Sequence, residues 1–159
     1  MSSRKKKTPY SDKTDLEKIK SNWKKIKGLI NREEWSSAVV RAATAAEIAT
    51  NLVIRYELQV NRNNEDSFVN SLLLSANGIQ GKYQKLVLPA TVDKHFHNKF
   101  KKLQKNIGTL NKERNSVAHQ GQFKKKTTAI KMVSEARHIV NTFVSEYHEG
   151  YEIEEIKST

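Results

Sequence analysis

The stretch Glu113-Arg114-Asn115-Ser116-Val117-Ala118-His119-Gln120-Gly121 gathers side chains able to do chemistry within an otherwise ordinary helical pattern. A guanidinium stabilises a phosphoryl group in transfer, a neutral imidazole accepts the proton of a ribose hydroxyl, and an amide beside them holds either in place. Together those functions suffice to cut RNA without a metal. The spacing by itself leaves a second reading open: a histidine near a helix end, with a solvated arginine one turn earlier.

The helix that must carry these residues is visible upstream. Phe96, Phe100, Leu103, Ile107 and Leu110 recur in steps of four and three, an amphipathic seam whose next positions are Arg114 and Val117. A guanidinium on an apolar stripe is costly unless it is paired or faces a wet cleft, so the core is expected to end near Arg114. At about 100° per residue Asn115 and His119 share a face, while Arg114 and His119 diverge by roughly 140°. Both serve one phosphate only if the helix ends near His119 or a second chain contributes. Gly121 favours an ending there, because glycine accepts the left-handed turn just past a helix.

Arg114-Asn115, three intervening residues and His119, late in a small helical domain, resemble the Arg-x4–6-His signature of the HEPN superfamily. The similarity extends to helix order from about Asp15 to Tyr147. It implies a HEPN-like helical bundle that forms a homodimer, with two copies of the motif in one dimer cleft. It also implies a metal-independent endoribonuclease of the toxin or antiviral-defence type, with Arg114 and His119 catalytic, Asn115 supporting and no cofactor. In the expected reaction His119 takes the 2′-hydroxyl proton, the 2′-oxygen attacks the adjacent phosphate, and Arg114 neutralises the charge that builds on the phosphoryl oxygens. The second His119 of the dimer protonates the leaving 5′-oxygen, giving 2′,3′-cyclic phosphate ends. Because the superfamily also has non-catalytic members, an RNA-binding or protein-interaction module is the alternative. A third reading is a toxin silenced by an antitoxin or other regulatory protein.

Composition is compatible with that class. The chain has 159 residues, 36% hydrophobic and 29% charged, which suits one soluble domain with a real core. Six glycines and two prolines leave long periodic stretches nearly uninterrupted, which predicts an all-α fold. Cysteine is absent, removing disulfides and thiolate metal sites; a cytoplasmic location is expected. The longest apolar region, around Ala38 to Ile54, is interrupted by Arg41 and Glu47, so no membrane partner is expected.

Twenty-nine Lys and Arg against 17 Asp and Glu give a formal charge of +12, suited to a polyanion such as RNA. Part of it lies in Arg4-Lys5-Lys6-Lys7, within a basic tail, residues 1–13, expected to be disordered. Lys124, Lys125 and Lys126 follow the motif closely and are the candidate RNA-backbone contacts, with a solvated loop as the alternative. Tyr83, Phe123 and Tyr151 are the candidates for stacking bases.

Five helices are expected within residues 14–148. The first opens on a Thr14–Glu17 capping box; the second runs from about Glu33 to Val60, rich in alanine. The third starts near Asp66 and ends before Pro89, Thr91 caps the fourth, and the fifth runs from about Thr127 to Tyr147. An acidic tail, 149–159, is expected to be mobile. Arg41, Thr44, Glu47 and Asn51 form a polar stripe on the second helix that either faces solvent or faces the cleft and lets Glu47 orient Arg114 or accept a proton. His95 and His97 diverge on a helix and no carboxylate cluster joins them, so no metal site is expected. His138 reads as an interior or interface histidine.

Overall fold

The computed structural model describes residues 14–158, and every regular element within them is helical. Helix α1 spans Asp15–Asn31, and Thr14 caps it by accepting from the Glu17 backbone N–H at 3.3 Å. A tight turn through Glu33, at φ 58°, reverses the chain into α2, Trp35–Arg55, which continues through a π-helical turn, Tyr56–Asn61. Helix α3 is Asp66–Ser75. Helix α4, Gly78–Lys82, runs through a second π-helical turn, Tyr83–Val87, into α5, Leu88–Ala90. Then come α6, His97–Lys101, α7, Gln104–Gln120, and α8, Lys126–Ser145.

Helix α2 is the axis of the bundle, packed on α1 and α8 along most of its length and on α4 and α7 on another side. Its sequence explains this position. Ala38, Ala42, Ala45, Ala46 and Ala49 are fully buried, and such small side chains let neighbouring backbones approach closely while Val39, Val53 and Ile54 fill the remaining space. The continuous helix Trp35–Asn61 is long and apolar enough to cross a membrane by composition, but here it is the core helix, with 61% of its apolar 18-residue stretch buried inside the fold.

Beside it Tyr83, Phe100 and Phe143 form a second focus, with Phe100 and Phe143 edge to face at 4.8 Å between ring centres. The Tyr83 hydroxyl donates to the carbonyls of Phe100 (2.6 Å) and Lys101 (3.1 Å), tying the π-helical turn to the end of α6. Another buried polar knot holds Glu57, which is fully inaccessible and accepts from Tyr147, Arg62 and Asn61. Burial, together with that partnership, pushes the Tyr147 phenol far above its ordinary range.

The fold departs from the sequence reading in several places. The third and fourth expected helices are each divided: α3 stops at Ser75, and the seam from Phe96 to Leu110 is interrupted at Lys102 and Leu103. Thr91 does not open a helix. Its hydroxyl donates back to the Val87 carbonyl at 2.9 Å, closing the preceding helix instead. The acidic segment expected to be mobile from Glu149 lies against α1 and α8: Trp23 Nε1 donates to the Glu154 carbonyl, Arg137 to that of Ile153, and the Ile153 N–H donates to Asn141. His138, expected inside or at an interface, is exposed on the single chain, so the interior alternative falls. The basic run Arg4–Lys7 lies outside the described residues.

Candidate functional site

Helix α7 delivers the motif, and its last turn decides the geometry. Gly121 stands just beyond the helix at φ 63°, ψ 23°, with its N–H on the Ser116 carbonyl. This left-handed cap is cheap only for glycine, so the sequence fixes the helix end two residues past His119.

The angular divergence between Arg114 and His119 closes within one chain. Arg114 Nη1 lies 3.2 Å from Asn115 Oδ1 and 3.4 Å from His119 Nε2, so the long arginine side chain reaches along the helix toward its terminus. A guanidinium nitrogen only donates, so in this arrangement the imidazole Nε2 accepts, as a neutral ring does. Asn115 and Arg114 are half-buried, while His119 is exposed at the rim.

The three side chains line a cavity of about 510 Å³ between α2, the start of α4 and α7. Thr44 and Glu47 face it from α2, Asn77, Gly78 and Gln80 from the opening of α4, and Asn111 from α7 one turn before Asn115. Asn111 donates to Gln80 Oε1 at 3.1 Å, joining two of these walls. The volume holds a small polar group or a single nucleotide unit, and the lining is dominated by amides, hydroxyl, guanidinium and imidazole.

Two other cavities are as large or larger. One of about 780 Å³ lies between Trp23 and the C-terminal segment and is mainly apolar. The other, about 540 Å³, also holds an arginine and a histidine, but Arg55 Nη1 sits 2.7 Å from both Asp15 oxygens and His148 Nε2 meets the Tyr56 hydroxyl at 2.9 Å. Those two groups are engaged by neighbours. Arg114 differs: among the described residues it makes no ion pair with a carboxylate, and it meets only the Asn115 amide and the His119 ring. A half-buried guanidinium without a counter-anion is a ready anion site.

The supporting residues are sorted by the same geometry. Glu47 does face the cavity, but its Oε1 pairs with Lys82 Nζ at 2.8 Å and not with Arg114. Lys82 is 7% exposed, so Glu47 neutralises a buried ammonium behind the cavity wall. Of the polar stripe on α2, Arg41 bonds to Asn22 on α1, while Thr44 and Glu47 face the cavity. Lys124 also turns inward: its Nζ is 2.7 Å from Glu113 and its backbone N–H bonds to Ser36, which pins the loop to α2. That ammonium is therefore engaged within the fold, whereas Lys125 and Lys126 are exposed.

Of the stacking candidates, Tyr83 is fully buried and Tyr151 is half-buried; Phe123 is 95% exposed. Among the described residues no three His, Asp or Glu side chains converge as a metal shell would require. The residues that sequence reasoning passed over are Asn77, Gln80, Asn111 and Lys82. Asn111 precedes Asn115 by four positions and thus shared its helix face, a signal available in the sequence; Lys82 gave none.

No family model, curated protein or solved structure matches this chain.

Proposed function

We propose that this chain is a metal-independent endoribonuclease of the HEPN type that cleaves RNA by 2′-hydroxyl attack. The observation that carries the reading is the Arg114–His119 pair: a guanidinium free of carboxylate partners and an imidazole Nε2, 3.4 Å apart in one cavity.

An entering phosphodiester offers Arg114 the anion that it lacks. The guanidinium turns from His119 to the non-bridging oxygens, steadied by Asn115, and releases Nε2 to take the 2′-hydroxyl proton. The 2′-oxygen then forms its bond to phosphorus as the bond to the 5′-oxygen breaks. Products are a 2′,3′-cyclic phosphate and a 5′-hydroxyl. Charge on the phosphoryl oxygens grows during the transfer, and a fixed guanidinium in a partly dehydrated cavity stabilises it more than the ground state.

The leaving oxygen needs a proton. In the proposal a homodimer supplies it, with the exposed His119 of a second copy facing the first across a two-fold axis. A cytoplasmic toxin or defence effector built this way is silenced most simply by an antitoxin or regulatory protein that covers the cavity mouth.

Replacing the attacking group tests the chemistry. RNA should be cut and the same sequence carrying 2′-O-methyl groups should bind but remain intact. Equal cleavage of both would rule out 2′-hydroxyl attack. Binding of both with cleavage of neither favours the non-catalytic module.

A further inference from the structure

We infer that the solvent face of α7 and the end of α6 form a phosphate track that leads single-stranded RNA into the cavity, with Lys101, Lys105 and Lys112 as its contacts and Phe123 as a stacking platform at its far end. The inference rests on the ribonuclease reading for its choice of RNA, but its evidence is separate.

Lys105, Lys112 and His119 recur every seven residues on one helix. A heptad drifts only about 20° around an α-helix, so the three side chains stand nearly in line, with about 10 Å between successive members. Gly108 falls between the first two on the same face and leaves the space above the backbone open, with nothing within 4 Å of where a Cβ would stand. Lys101, exposed at the end of α6, precedes the line.

Lys101, Lys105 and Lys112 are exposed, and among the described residues none forms an ion pair with a carboxylate. Lys82 and Lys124, by contrast, are engaged by Glu47 and Glu113, while Lys125 and Lys126 beyond the helix end are exposed like the track lysines. The face that flanks the catalytic pair therefore keeps its charge for an external anion. Residues 1–13 contain five Lys or Arg against one Asp, so most of the +12 excess belongs to the described fold and not to that segment.

Beyond His119 the chain turns at Gly121 and presents Phe123, 95% exposed, the most exposed large apolar side chain among the described residues. Burying Phe123 was open to the sequence; its exposure beside a cationic line fits the pairing of aromatic platform and basic groove that holds unpaired bases. An unpaired strand is required because in-line attack needs the 2′-oxygen, phosphorus and 5′-oxygen aligned, which regular A-form pairing does not provide, and because only an unpaired base offers its face to Phe123.

The test uses the full chain with His119→Ala, so that binding is read without cleavage, and an unstructured oligouridylate as the probe. Lys101, Lys105 and Lys112 are changed together to Ala; a control changes the exposed Lys20, Lys24 and Lys131 on α1 and α8, with the same loss of charge. Circular dichroism confirms that both remain helical. Loss of the track should reduce the slope of log affinity against log salt by about two, while the control leaves the slope nearly intact. Phe123→Ala should weaken binding roughly tenfold with no change of slope.

Equal effects of the two triple variants would overturn the track, since net charge alone would then explain binding. Cleavage by the chain with His119 restored is scored independently. A triple variant that cuts with unchanged KM overturns the track and leaves the ribonuclease reading standing. A track that governs salt-dependent binding by a chain that never cuts overturns the ribonuclease reading and leaves the track.

Discussion

Arg114 Nη1 points at Nε2 of His119 from 3.4 Å, and Asn115 holds the same nitrogen at 3.2 Å. A donor-only group therefore occupies the lone pair that a general base would use, in the absence of substrate. The contact explains why both side chains are ordered toward one cavity, and it gives the arginine a defined route from imidazole to phosphate.

Arg114→Lys should fail even though it keeps the charge. A lysine ammonium cannot bridge Asn115, His119 and two phosphoryl oxygens with a planar fork. We expect kcat on RNA to fall by roughly 10²–10³, the scale for losing an oxyanion donor, with KM changed far less. Single-turnover cleavage assays read this directly; activity within twofold of the unmodified chain would remove Arg114 from the transition state.

Gly121→Ala tests how the cap places His119. At φ 63° an alanine is strained, and about 1–2 kcal/mol of stability should be lost. Fraying of the last turn should also slow cleavage more than the stability change accounts for, measured at a temperature where the variant is fully folded. Nothing stands within 4 Å of the added methyl, so crowding does not confuse the result.

Glu47→Gln leaves the Lys82 ammonium buried without its counter-charge, and thermal unfolding should show a loss of about 2–3 kcal/mol, less than for a fully buried pair because Glu47 is 35% exposed. Changing Lys82 to Met in the same chain should recover most of the stability. Recovered stability with intact cleavage would assign Glu47 to the wall; lost cleavage in the restored double variant would give it a part in the reaction.

Alkaline stability should follow Tyr83. Burial pushes its phenol from 10.0 to about 12. The unfolded chain releases that proton near 10 and the folded chain holds it until about 12, so the unfolded state gains across that interval. Stability contributed by this group is full below pH 10 and is lost as pH rises toward 12. Denaturant titrations of the chain and of Tyr83→Phe should show a shallower alkaline loss in the variant; the variant should also lack the two hydrogen bonds to Phe100 and Lys101, losing about 1–2 kcal/mol at neutral pH.

Periodicity revealed what depends on neighbours along a helix. The alanine face of α2, the Thr14 cap and the Gly121 ending follow from spacing and turn chemistry, whereas Arg114 and His119 meet because the arginine side chain spans the divergence that their spacing imposes. What spacing does not encode is which distant charge meets which. Glu47 took Lys82, 35 positions away, a choice that depends on how α2 and α4 cross, and Lys124 folded onto Glu113, a choice that depends on how the loop after Gly121 turns back. The seam from Phe96 to Leu110 kept its inward face across the interruption at Lys102 and Leu103, so the period was right while the continuity was not. The acidic C-terminal segment misled because its charges face solvent while Ile153, the Trp23 indole and backbone groups make the contacts.

The most direct measurement compares the purified chain with His119→Ala on a mixed RNA pool in EDTA, followed by end-group analysis of the fragments. The account predicts 2′,3′-cyclic phosphate and 5′-hydroxyl ends from the unmodified chain alone, with the variant slower by roughly 10²–10⁴ and still binding RNA. Fragments made equally by both, or cleavage that stops when EDTA is added, would contradict it.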